Sequence, residues 1–369
     1  MKKSTRLLLS VIVVSLSAII IFVVWRSSAS RNSSVNEPLG VLLRDMPGGT
    51  SGVLYVDVAQ LRQAPFAQKL FAWAPKPQVD AEYARFVQES GFDYERDLHR
   101  VAFAAAKRGS QSIWFAVADG RFDQKKIAAY MAKIGVIQKH GAHDIYFIPT
   151  AAPIPTTGNA VLSSAVSQLS FTFLNAGRIA ATNDADLSIY LDQKNSIADP
   201  AQWSTRFKRL AGSPVFAVVR QDADTASSLA AQAPGGLQSP QLSALFAQLS
   251  WVTLAGQPQD DSLRIVAEGE TPSDTVARQL ADMLNGVVIL AEAGLSGAKT
   301  TQQLNPQMRA AYLELLKSVD VTRLDRENLN AVRVVFELTP NFLSAATLPK
   351  PPTPTLDTTP APKKQPSRK

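Results

Sequence analysis

Apolar positions along this chain recur with two different periods, and the changes between them mark its elements. Short runs with strand character lie at Gly52 to Val58, Val101 to Ala106, Ile113 to Ala118, Ile145 to Pro149 and Leu169 to Leu174. The last of these sets Leu169, Phe171 and Phe173 against Ser170 and Thr172, and Asn175-Ala-Gly177 then reads as a hairpin turn into a strand over Arg178 to Thr182. Helical spacing appears between them. Pro65 opens a helix with Phe66, Leu70 and Trp73 on one stripe. Asp80 caps a second helix carrying Tyr83, Phe86 and Val87, which Gly91 closes. Asp123 caps a third, with Ile127, Tyr130, Met131 and Ile134, and Asn183 or Asp184 a fourth, with Leu187, Tyr190 and Leu191.

The second half follows the same logic. Asp199-Pro200 opens a helix with Trp203, Phe207 and Leu210, ended by Gly212. Strands are expected at Val215 to Arg220, Ser250 to Gly256, Leu263 to Glu270 and Ala331 to Leu338, with helices at Thr225 to Gln232, Pro240 to Leu249, Ser273 to Ala293 and from Pro306. Both halves thus read strand, helices, strand, turn, strand, helix. The expected fold is α+β, made of two similar β-α-β-β-α units over residues 48–199 and 200–347, with mixed or antiparallel sheets and helices packed on one face.

The two ends differ from this pattern. Leu7 to Trp25 is an uncharged apolar run of 19 residues, which at a helical rise of ~1.5 Å per residue matches the roughly 30 Å hydrocarbon core of a bilayer. Residues 1–26 are therefore expected to form a cytoplasmic tip and a transmembrane signal anchor, with the lipid bilayer as partner. Lys2, Lys3 and Arg6 hold the amino terminus inside. A cleaved secretory signal is the alternative, since Ser27-Ser28-Ala29 offers small residues at the right place, but the apolar stretch exceeds a signal's and Trp25-Arg26 interrupts it. Residues 27–47 read as a stalk and residues 348–369, with seven prolines, as an extended basic tail. Either reading of the amino terminus exports the bulk of the chain, from a bacterial inner membrane.

The segments LYVDVAQLRQAPF, FDYERDLHRVAFA and LSFTFLNAGRIAATNDADLSIYL, following the single amino-terminal span, resemble uncharacterised bacterial envelope proteins with a duplicated α+β extracytoplasmic region. The resemblance covers about residues 50–195 and carries no catalytic motif. It implies a place and a fold and supplies no activity.

Charge alters the functional picture. The net +7 divides into +5 over residues 1–31 and +4 over residues 348–369, which leaves the intervening chain at −2. A basic stripe on a folded surface is missing, so nucleic acid is not an expected partner. No cysteine is present, which excludes disulfides, thiolate metal sites and thiol nucleophiles. His140 and His143 form a metal-type pair without a third ligand beyond Asp144, and no cofactor or metal is expected. Gly294-Leu-Ser-Gly-Ala-Lys-Thr300 lacks the glycines of a phosphate loop, and hydrolase motifs are absent. Asp93, Glu95 and Asp97 read as capping residues, and Glu268 with Glu270 as one solvent face of a strand. The best exposed apolar contact patch is Phe71, Trp73 and Pro75. The expected function is a non-catalytic binding or assembly module of the cell envelope with a protein or cell-wall partner. The alternative is an envelope hydrolase with a carboxylate-based site that no linear motif reveals.

Overall fold

The computed structural model describes residues 37–73, 81–108, 111–149, 168–192, 195–221, 244–297, 305–326 and 329–346. The expected span Leu7 to Trp25, the tail 348–369, the cap Asp80 and the helix expected at 225–232 lie outside these residues. Among the described residues no helix is long and apolar enough to cross a membrane.

The fold is α+β, built on one sheet. Its strands are β1 (Gly52–Asp57), β2 (Leu98–Arg108), β3 (Gln111–Gly120), β4 (Val136–His140), β5 (His143–Pro149), β6 (Gln168–Asn175), β7 (Arg178–Thr182), β8 (Val215–Arg220), β9 (Trp251–Gln259), β10 (Ser262–Glu270), β11 (Asp320–Arg326) and β12 (Leu329–Leu338). They form a twelve-stranded sheet in the order β11-β12-β10-β9-β8-β1-β2-β3-β7-β6-β5-β4, and each neighbouring pair is antiparallel. The centre is β1 against β8, with Leu54 opposite Ala217. Outward from that pair the order is β1-β2-β3-β7-β6 on one side and β8-β9-β10-β12-β11 on the other, and the hairpin β4-β5 extends the first side.

The helices of the described residues include α1 (Glu37–Arg44), α2 (Val58–Leu61), α3 (Pro65–Trp73), α4 (Ala81–Ser90), α5 (Tyr94–Asp97), α6 (Gln124–Ile134), α7 (Ser188–Leu191), α8 (Ala201–Leu210), α9 (Asp274–Ser296), α10 (Pro306–Lys317) and α11 (Pro340–Ala346). Their starts follow local chemistry. Asp57, Asp93, Asp123, Ser273 and Asn305 each accept a backbone N–H of the first turn of α2, α5, α6, α9 and α10. Gly91, just past α4, has φ +71°, a left-handed conformation that glycine adopts without strain.

Helices cover both faces of the sheet, not one. Val53, Tyr55, Phe115, Val117, Phe216 and Val218 pack against Leu42 of α1, Leu187 beside α7, and Trp203 and Phe207 of α8. The alternate positions Leu54, Val56, Val101, Phe103 and Ala118 form a core on the opposite face with Val58 and Leu61 of α2, while α4 and α6 cover Leu169 and Phe171 there. Farther along that second face, α9 packs Ala277, Leu280 and Ala281 against Val332 and Val334. The reason lies in strands such as β1, where both alternations are apolar and each needs cover from water. Ser170 and Thr172, the polar alternates of β6, are completely buried as well. Their hydroxyls donate to the carbonyls of Asp184, at 3.5 Å, and Asp144, at 2.9 Å.

Phe216 on β8 is fully buried and stacks on Tyr55 of β1 at a ring separation of 5.0 Å. Phe216→Ala is expected to lower stability by about 3–5 kcal/mol, measured by urea unfolding followed by tryptophan fluorescence.

Candidate functional site

A cavity of about 120 Å³ lies between α4, α6 and the sheet. Helix α6 supplies Ile127 and Met131, one turn apart, and α4 supplies Tyr83 and Phe86. Across from them β6 presents Leu169, Phe171 and Phe173 by its period of two. The floor contains Ala118 of β3 and Ala181 of β7, whose short side chains leave space that the helices do not fill. Large rings stand around small residues, and the gap between them is the cavity.

Its lining is almost wholly hydrocarbon. The phenol oxygens of Tyr83 and Tyr94 are the only side-chain oxygen or nitrogen atoms among the lining residues. Both are engaged: Tyr83 Oη donates to Asp93 Oδ1 and Tyr94 Oη to Glu95 Oε1, each at 3.4 Å. Burial, and then the charge of Asp93, push the Tyr83 phenol well above its ordinary range, so it stays neutral. The rings are also committed to one another. Phe92 stacks on Phe122 at 5.1 Å, Phe171 stacks on Tyr146 at 4.9 Å, and Phe173 meets Phe122, Tyr146 and Phe171 edge-on.

Beside the cavity, α5 is locked by charge. Asp97, 4% exposed, bonds to Arg96 and pairs with Arg121 Nη2 at 2.9 Å, and it accepts the Asp93 amide at 3.0 Å. Its burial works to raise its pKa, but the Arg96 bonds, the Asp93 amide and the Arg121 charge carry it below the ordinary carboxylate value. Buried Arg62 donates to the carbonyls of Tyr94, Arg96 and Leu98, tying the end of α2 to α5. His99, half-buried near Arg62, Arg121 and Arg100, is held below its usual pKa by burial first and by those cations next.

The carboxylate pairs seen in the sequence have structural partners. Glu268 and Glu270 are 7% and 6% exposed, so they do not form a solvent face. Glu270 binds Arg206 and Arg209 of α8, Glu268 binds Arg333 and Arg209, and Arg206 lies over the Trp251 ring at 3.8 Å. On the same face a charge ladder crosses four strands, from Asp57 through Arg100 and Asp119 to Arg178, which also holds Asp45 beyond α1. None of these groups lines the cavity.

The remaining candidates form no joint site: the β4–β5 register sets His140 opposite His143, but their rings take different partners. His140 Nε2 lies 3.0 Å from both carboxylate oxygens of Asp192, whereas His143 Nδ1 faces the Phe173 carbonyl at 3.1 Å. Among the described residues no group of three His, Asp or Glu could hold a metal ion. Phe71 and Trp73 fall in the last turn of α3, but their side chains, like Pro75 itself, lie outside what the structure describes. In the sequence the cavity residues sit at the same helical and strand spacings as the packed core. Apart from alanines facing phenylalanines, nothing linear distinguishes the two.

No protein-family model and no curated protein matches this chain. Among solved structures, crystal form III of TP0453 is similar with 9% identity and a TM-score of 0.43, covering 82% of this chain and 96% of that one. Crystal form I of TP0453 gives 11% identity and a TM-score of 0.42, covering 85% and 97%. These likenesses are too distant to bear on fold or function.

Because the pKa of Asp97 is depressed in the folded protein, its stabilising contribution is present above the unfolded value of about 3.9 and is lost as pH falls through the lower folded value. Asp97→Asn is expected to cost about 1.5–3 kcal/mol at pH 7. The gap to the wild type should close from about pH 4 downward, as read by thermal melts across pH.

Proposed function

We propose that this chain is a membrane-tethered, non-catalytic binding module of the bacterial cell envelope, which holds an apolar ligand in the cavity beneath α4 and α6. The observation that carries the reading is the lining: a cavity of about 120 Å³ whose polar side-chain atoms are two phenols already bonded to carboxylates. A catalytic pocket needs convergent polar groups around a reacting atom, and this one offers hydrocarbon. The tether rests on the sequence, in the uncharged run Leu7 to Trp25 with its basic flank. The rival reading, a hydrolase with paired carboxylates, gains nothing from Glu268 and Glu270, which are committed to three arginines.

The matched strand orders on the two sides of β1·β8 support a second element of the proposal, that the region is a duplicated unit. In each half a three-strand meander leads into a crossover helix, α6 or α9. The last strand of the half then returns beside the third, β7 against β3 and β12 against β10. Both crossover helices cover the same face.

Xenon, which enters empty apolar cavities, tests the site without presuming a ligand. Under xenon pressure the Met131 methyl resonance should shift saturably while those of Met46 and Met283 do not, and Ala181→Leu should remove the shift. An unmoved Met131 methyl, or the same shift in the folded variant, would overturn the reading. The tether is tested by alkaline extraction: the full chain should remain with membranes and a chain lacking residues 1–26 should be released, whereas release of both contradicts it.

A further inference from the structure

We propose that the ligand of this cavity is an unbranched alkyl chain, as in the acyl chain of a lipid or a fatty acid; the inference rests on the reading of the cavity as a binding site. Three observations select this class. Ligands with buried hydrogen-bonding groups are disfavoured, because burying a polar group without a partner is costly and both lining phenols already donate elsewhere. Planar aromatic ligands are disfavoured by room: at about 120 Å³ the space is smaller than the ~150 Å³ that holds a single benzene ring in an engineered core. Between the rings the space also presents adaptable aliphatic groups to a guest, in Ile127, Met131, Ile148 and Leu169. A flexible chain of methylenes can follow an irregular gap of this kind.

Size and charge define the rest. At about 120 Å³ the cavity is somewhat smaller than the ~150 Å³ space that holds benzene in an engineered core, so it accepts a terminal segment of a chain. Phe86, Phe92, Phe122 and Phe173 of the lining are only partly buried, so the cavity is not sealed from solvent, and the remainder of the chain with its head group leaves past these rings. No charged side chain lines the cavity. Selectivity is therefore for chain length and not for head-group charge.

The test titrates the full chain, in detergent-free nanodiscs, with straight-chain carboxylates from four to ten carbons, read by the Met131 methyl resonance. Affinity should rise about 4-fold per added methylene, then stop rising at a limiting length, and alkyl-trimethylammonium ions of equal length should bind within about 3-fold. Phe173→Leu, which enlarges the space, should move the limit to a longer chain, a readout that loss of stability alone cannot produce. Single-chain lysophospholipids that show the same limit place the source in lipid, and their exclusion places it in free acids. Binding without length dependence, a preference for naphthalene over alkyl chains, or an unchanged limit in Phe173→Leu overturns the proposal. If xenon moves Met131 and no alkyl chain does, the alkyl class falls and the cavity reading stands. If neither binds, both fall.

Discussion

The pairing of β1 with β8 is the contact on which the rest of this molecule depends. These strands are separated by more than 150 residues of chain, yet Gly52 to Val56 run antiparallel to Val219 to Val215, and the pairing fuses what would otherwise be two sheets. Because β1 is buried on both sides, with Val53 and Tyr55 on one face and Leu54 and Val56 on the other, the fused sheet requires helices above and below. Exposed apolar area of that extent would cost roughly 25 cal/mol per Å². The two layers of helices answer that cost.

The two faces meet the demand by different means. On the α8 face the cover is held by charge as well as by packing. Arginines from a helix reach acidic residues rising from β10, and the ladder from Asp57 to Arg178 runs across neighbouring strands. Buried ions of this kind add little net stability, but removing one partner leaves a stranded charge, so they fix the register of α8 on the sheet. On the α6 face of the first half the cover is aromatic and aliphatic, and its floor of alanines leaves unfilled space. The face that joins an apolar core to ion pairs and the face that leaves unfilled space share strands β2, β3 and β7, seen from two sides. One face is tied by charge and the other encloses the cavity.

Local chemistry was legible in the sequence wherever a short stretch sets its own geometry. The Asn175-Ala-Gly177 hairpin turn, the Asp123 cap, the Gly91 stop, and the Trp203, Phe207 and Leu210 stripe all take the positions that spacing indicates. Long-range partners were not legible. Glu268 and Glu270 alternate like a solvent face, and only the arrival of α8 from 60 residues away buries them. Ser170 and Thr172 look like an outer face for the same reason, until β5 and the Asp184 turn enclose them. Helix α9 errs in the other direction: its apolar run continues past the core, so Ile289 and Leu290 are exposed at 65% and 73%. The cavity has no linear signature, because it is the difference between the volume enclosed by α4, α6 and the sheet and the side chains that happen to fill it.

The central claim is about place, and a bromine atom on the terminal carbon of an alkyl carboxylate tests it most directly. In crystals grown with that ligand, the anomalous peak is predicted inside the cavity bounded by Phe86, Met131, Phe171 and Ala181. A peak on the exposed end of α9 at Ile289 and Leu290 instead, or an empty cavity at saturating ligand, would contradict it.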